Sequence, residues 1–276
     1  MKKLVYSILI LFAIACKTVK TEPETPVAKV CQIQKLTTYD GRSYTYKFDA
    51  NSRLTEILYN YMNDGKPEEL SVKFTYNTAG NLLKVINSEG YVDDYIYDAS
   101  GVLTKIDFKE SDGKLYDQFT IKMDAQKRIS SMITQRYGLT ASYEYNGPGG
   151  LFSKEIVSYD GKVLDVYEIK SHETDKSKKY FDLAVKGHLF DPTLFTDDMI
   201  YSNPLNFSPS NLMINTVQAS TYYDENWENI VSTSRLYWDA SLTRKYNENN
   251  HVIQEESQDK VENEKYSYLY TYSNCN

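Results

Sequence analysis

The chain has 276 residues and a formal net charge of −7, long enough to bury one large core or two small ones. The acidic balance argues against a nucleic-acid partner, which would need a basic patch, and the run Lys176, Lys178 and Lys179 reads as a solvated loop. With 26 Tyr against 10 Phe and 2 Trp, the aromatic content favours strands with half-wet faces.

The N-terminus reads as an export signal. Lys2 and Lys3 precede an apolar run from Leu4 to Ile14, too short to span a bilayer, which takes roughly 20 residues. Ala13-Ile14-Ala15-Cys16 then resembles a bacterial lipobox, with Ala13 where Leu is more usual. That resemblance implies cleavage before Cys16 and acylation of its thiol and new amino group, so residues 1–15 are the signal peptide. Lys17 after the cysteine resembles an outer-membrane rather than an inner-membrane signal. Residues 16–29, rich in Thr, Glu, Pro and Lys without apolar period, are expected to be a tether.

Two further cysteines flank the remainder. Cys31 sits just before the first predicted strand and Cys275 is the penultimate residue. In an oxidising compartment they are expected to pair; the alternative is two free, partly buried thiols. Bridging 31 to 275 would close a loop of more than 240 residues, roughly 4–5 kcal/mol in the chain-entropy account.

From residue 30 onward a unit repeats: aromatic-x-aromatic-Asp/Asn-x-x-Gly-x-Leu/Ile-x-x-Ile. Its clearest copy is Tyr95 to Ile106, with others starting at Tyr46, Phe74, Ile121 and Tyr143, and a late one around Tyr246. The first five are spaced by 28, 21, 26 and 22 residues, one hairpin per unit. Asp98 with Gly101, and Asn77 with Gly80, fit a type I turn closed by a glycine bulge. Lys127 and Asn250 stand where the glycine is lost; Asn tolerates the left-handed region better. A second series, at Gly41, Gly65, Gly90, Gly113, Gly138 and Gly161, follows mostly Asp or Glu, and predicts Asp-Gly-type turns at the opposite end of the sheet.

Between turns the pattern alternates with period two. Tyr44, Tyr46 and Phe48 oppose Ser43, Thr45 and Lys47; Tyr266, Tyr268, Tyr270 and Tyr272 oppose Ser267, Leu269 and Thr271. One face is apolar and aromatic, the other polar. The expectation is an all-β fold, one domain over 30–276: a large antiparallel meander of about 14–16 strands forming a closed or half-closed barrel. An even strand count brings Cys31 and Cys275 to one edge. The pattern breaks over residues 171–215, which hold three of the seven prolines; 178–186 fits a helix or a strand. This apolar, non-repeat insert is expected to pack on the Tyr-rich face as a plug or lid.

These hairpins resemble YD repeats, the Tyr-Asp units of Rhs-type shell proteins. With the lipobox, the cysteine before the first strand and the late insert, residues 30–272 are more similar still to uncharacterised lipoproteins of Bacteroidota-type bacteria. That resemblance implies a porin-like antiparallel sheet and no catalytic residues.

No catalytic constellation stands out. His172, His188 and His251 share no metal-ligand spacing, and Asp191, Asp197 and Asp198 form no recognised calcium pattern. There is no nucleophile elbow, phosphate loop or H-E-x-x-H. No cofactor is expected. Trp227, Trp238, Tyr222 and Tyr223 are candidates to stack on a glycan or protein ligand; the bland reading of them is sheet packing. The expected function is a non-enzymatic, outer-membrane-anchored lipoprotein, periplasmic or surface-facing, that binds an envelope partner. Alternatives are a secreted polysaccharide hydrolase with a carboxylate pair, and a transmembrane barrel.

Overall fold

The computed structural model describes residues 31–126, 128–147, 150, 153–175, 177, 214–223 and 229–273. Sixteen strands follow one another: β1 Gln32–Thr38, β2 Ser43–Phe48, β3 Leu54–Asn63, β4 Lys66–Tyr76, β5 Leu82–Asn87, β6 Val92–Tyr97, β7 Leu103–Lys109 and β8 Leu115–Met123. They continue as β9 Ile129–Thr134, β10 Leu139–Glu144, β11 Lys154–Tyr159, β12 Lys162–His172, β13 Ile214–Tyr223, β14 Ile230–Tyr246, β15 Val252–Asp259 and β16 Lys265–Ser273. Each pairs antiparallel with its chain neighbours, and β1 pairs with β16 to close the barrel. The expected meander is therefore a closed ring. Twelve strands precede the insert and four follow it. His172 pairs with Ile214, so strand structure reaches into both edges of the 171–215 break. The plug or lid expected there falls mostly outside the described residues.

The even count puts both chain ends at one end of the barrel, here called the terminal end, and the β12–β13 connection leaves from that end too. The opposite end is the far end.

Alternation decides which face is inside. Tyr44, Tyr46, Leu54, Ile57, Val72, Phe74, Val85 and Tyr95 point inward and join one continuous buried cluster. Tyr44, Tyr59 and Tyr61 stack in a row, with centroids 4.7 and 4.9 Å apart. Each fully buried aliphatic side chain contributes about 1.5–3 kcal/mol. The outer wall carries cross-strand ion pairs instead: Lys47 to Glu56 at 2.6 Å and Lys109 to Asp94 at 2.6 Å.

The spacing of three between Leu and Ile in each unit has a specific cause. On a regular strand such residues face opposite ways. Here one extra residue bulges out after the leucine: Thr55, Leu83, Thr104, Ser130 and Ile253 are each skipped by the register. Leu103 and Ile106 both become buried as a result. The hydroxyls of Thr55, Thr104 and Ser130 each donate to a carbonyl across the hairpin at 3.1 Å. Ser or Thr at that position was a legible signal that the turn pattern overshadowed.

The turns at the terminal end are built as expected. The Asp98 carboxylate accepts from the backbone N–H groups of Ser100 and Val102, at 2.8 and 2.9 Å, and Gly101 sits at φ +78°. Asn77 accepts from the N–H of Asn81 at 2.9 Å, with Gly80 at φ +83°. Asn250 takes the glycine role at φ +63°, and Ser52 does so at +62°; Lys127 lies outside the described residues. The far end needs a correction. Only Asp64-Gly65 and Asp160-Gly161 are turns with two consecutive residues at positive φ. Gly41, Gly90 and Gly113 instead each donate to the carbonyl three residues back, the same closure used at the terminal end. An Asp or Glu before glycine does not distinguish the two turn types, because the wider turn also places its glycine at positive φ.

Candidate functional site

The sequence candidates do not converge on one described patch. Trp238 is half-buried against the core, paired across the ladder with Ala219. Tyr222 and Tyr223 end β13, both half-buried, with Tyr223 opposite Ile230. Trp227, Cys16 and Cys275 lie outside the described residues. Cys31 is half of a disulfide, and its neighbour Gln32 pairs with Ser273, two residues before Cys275 in sequence. Asp98, Gly101, Asn77 and Gly80 are turn residues, as expected.

What sequence reading missed is a polar sector of the inner wall. The inner face of β1–β5 is apolar and aromatic. Over β10–β15, where the repeat degenerates, carboxylates and an arginine turn inward. Two rows cross the strands. One runs Tyr143, Glu155, Tyr167, Ala219, Trp238; the other Val157, Asp165, Thr221, Arg235. Glu155 accepts a hydrogen bond from the Tyr143 hydroxyl, yet burial pushes its carboxyl up to about 7 and the Asp165 charge adds to the rise. Asp165 is also raised by burial, against a hydrogen bond from Thr221. The Tyr237 hydroxyl donates to that of Tyr167 at 2.6 Å.

A second inward group lies nearer the terminal end. Arg244 and Glu255, opposite each other on β14 and β15, form an ion pair at 2.7 Å with side chains 5% and 1% exposed. Arg244 also donates to Asn215 at 3.1 Å. Burial raises the Glu255 carboxyl while Arg244 opposes that rise. No inward side chain of this kind was visible in the sequence, since each charged residue has ordinary strand neighbours. The one available signal was loss of the clean repeat. Among the described residues no group of three or more His, Cys, Asp and Glu could hold a metal ion.

The far end has a different character. Among the described residues, all five exposed tyrosines lie there: Tyr39, Tyr91, Tyr116, Tyr137 and Tyr159. The hydroxyls of Tyr116 and Tyr137 are 2.7 Å apart, and the Arg136 guanidinium lies 4.0 Å over the Tyr116 ring.

No protein-family model matches this sequence, and no curated protein is significantly similar to it. Among solved structures, the chain is similar to a porin-like protein from Bacteroides uniformis: 10% identity over 87% of this chain and 96% of that one, TM-score 0.52. A porin-like protein from Bacteroides vulgatus is 10% identical over 87% and 98% of the two chains, with a TM-score of 0.40. At such identity the first likeness speaks for shared architecture alone, and that architecture is the closed antiparallel β-barrel.

Proposed function

We propose that this is a non-enzymatic lipoprotein, anchored to the outer membrane through acylated Cys16, whose barrel binds an envelope partner, glycan or peptide. One observation carries the reading. The wall has the reverse polarity of a spanning barrel, which turns an apolar band to lipid and a polar face to its lumen. Here tyrosine, leucine and isoleucine fill most of the inside, the polar sector of β10–β15 and the buried Asp93 and Asp117 apart, and Lys–Asp and Lys–Glu pairs coat the outside. Such a body suits water. The alternative of a transmembrane barrel loses support from the same wall.

The test is fractionation of cells making the full chain or the Cys16→Ala variant, with a fatty-acid label. The wild type should carry label and pellet with membranes. The variant should lose the label and stay soluble without detergent. A Cys16→Ala protein that resists alkaline extraction from membranes would overturn the reading in favour of a spanning barrel.

Polysaccharide hydrolysis has one observation in its favour. Glu155, raised to about 7, has the protonation behaviour of a general acid, with Asp165 close enough to affect it. Turnover of polysaccharides that vanishes in Glu155→Gln would establish this reading; absence of turnover across bacterial and host glycans would end it.

A further inference from the structure

The far end concentrates amphipathic side chains to a degree that the rest of the surface does not. Tyr39, Tyr91, Tyr137 and Val261 lie in the β1–β2, β5–β6, β9–β10 and β15–β16 connections, and exposed Met62, Tyr116, Tyr159 and Ile230 with Val231 lie at the far ends of β3, β8, β11 and β14. So each of the eight hairpins at that end presents a large apolar group in its turn or at a strand end beside it. Counted in the same way, the described terminal-end hairpins present three, Leu83, Ile96 and Ile253, and no exposed tyrosine.

We propose that the far end docks on a lipid bilayer surface, the tyrosine ring lying at headgroup level. A ring with a contact at every far-end hairpin, all around a closed barrel, matches a partner that is flat and continuous; a glycan or a small protein would engage one side of it. Tyrosine is the fitting residue, since its ring favours the acyl boundary while its hydroxyl stays wet. The described connections at this end hold eight acidic against four basic residues, so the surface is acidic and the headgroups it meets are neutral rather than anionic. The Arg136 guanidinium lies over the Tyr116 ring and donates to the Tyr116 carbonyl at 3.2 Å, which fixes one cation at this rim.

This proposal rests on lipid anchoring at Cys16, and the length of chain permits it. The 15 residues from Cys16 to Cys31 span at most roughly 50 Å when extended. All strands but β14 have 6–11 residues and are roughly 20–35 Å long; β14, with 17 residues, is longer. A tether leaving the terminal end can therefore run past the wall and let the far end settle on the same bilayer.

The test uses the mature acylated protein on phosphatidylcholine vesicles carrying a headgroup nitroxide. One preparation has a fluorophore at Glu89→Cys in the far-end β5–β6 turn, the other at Ala99→Cys in the terminal-end β6–β7 turn. Fluorescence should be lost at position 89 and retained at 99. Adding Tyr116→Ser, Tyr137→Ser and Tyr159→Ser should restore the signal at 89 without changing the far-ultraviolet circular dichroism. Loss at 99 alone, or at neither position, would overturn the proposal and leave the ring to a glycan or protein partner. Flotation with the vesicles is read separately. Protein that fails to float refutes the anchoring; protein that floats with position 89 unquenched refutes the docking alone.

Discussion

The Tyr97 hydroxyl donates to the Leu82 carbonyl at 2.7 Å, tying β6 to β5 where their backbone ladder has ended. The ladder covers Lys84–Ile86 and stops short of the terminal end. Tyr76 to Leu54, at 2.6 Å, and Tyr145 to Ile129, at 2.7 Å, repeat the arrangement on β4–β3 and β10–β9. Arg53 and Arg128 cover the rings of Tyr76 and Tyr145, at 4.9 and 4.1 Å. In these three units the second aromatic thus joins the unit to the one before.

Tyr97→Phe removes this tie while keeping the ring. The loss should be about 0.5–1.5 kcal/mol of unfolding free energy in urea, with an unchanged m-value. Tyr76→Phe should behave alike. Wild-type stability in both variants would mean that water serves the carbonyls equally well.

The turn glycines should be expensive to replace for a backbone reason alone. Nothing lies within 4 Å of a Cβ built on Gly101, yet its φ is +78°. Gly101→Ala should therefore cost about 1–2 kcal/mol. Asn250→Gly, at φ +63°, should be neutral or stabilising. Equal midpoints for Gly101→Ala and wild type would contradict the left-handed geometry.

Glu155 should make stability fall as pH rises. Its carboxyl sits near 4.5 when unfolded and at about 7 when folded, raised chiefly by burial. Between these values the folded chain holds more protons than the unfolded one. Its contribution is complete below about 4.5 and is lost as pH climbs through about 7. Glu155→Gln should flatten that part of the pH profile and raise the melting temperature at pH 8. A variant profile parallel to wild type would show that the inward site is better hydrated than its packing implies.

Cys31 should be bridged to Cys275. The mature protein should then migrate differently on non-reducing and reducing gels, and Cys31→Ser or Cys275→Ser should abolish the difference. Loss of the bridge should cost about 2–5 kcal/mol. Identical migration with both thiols alkylatable would exclude the pairing.

Sequence alone determined most of the scaffold. Period-two alternation marked Tyr44, Tyr46 and Tyr268 as inward, because a pleated strand leaves no other choice once one face is apolar. Asp98 with Gly101 specified a turn, because its bonds are local and its φ favours glycine. Strand number and antiparallel order followed from those two signals. Tertiary structure decided the rest. Closure by β1 on β16 depends on a pairing across the whole chain. The bulges at Thr55 and Thr104 put residues three apart on one face, which a strand period cannot express. The inward rows that hold Glu155, and Asp165 with Arg235, and the far-end ring of tyrosines exist only as juxtapositions. Their members are distant in sequence and individually ordinary, and only the register of neighbouring strands brings them together.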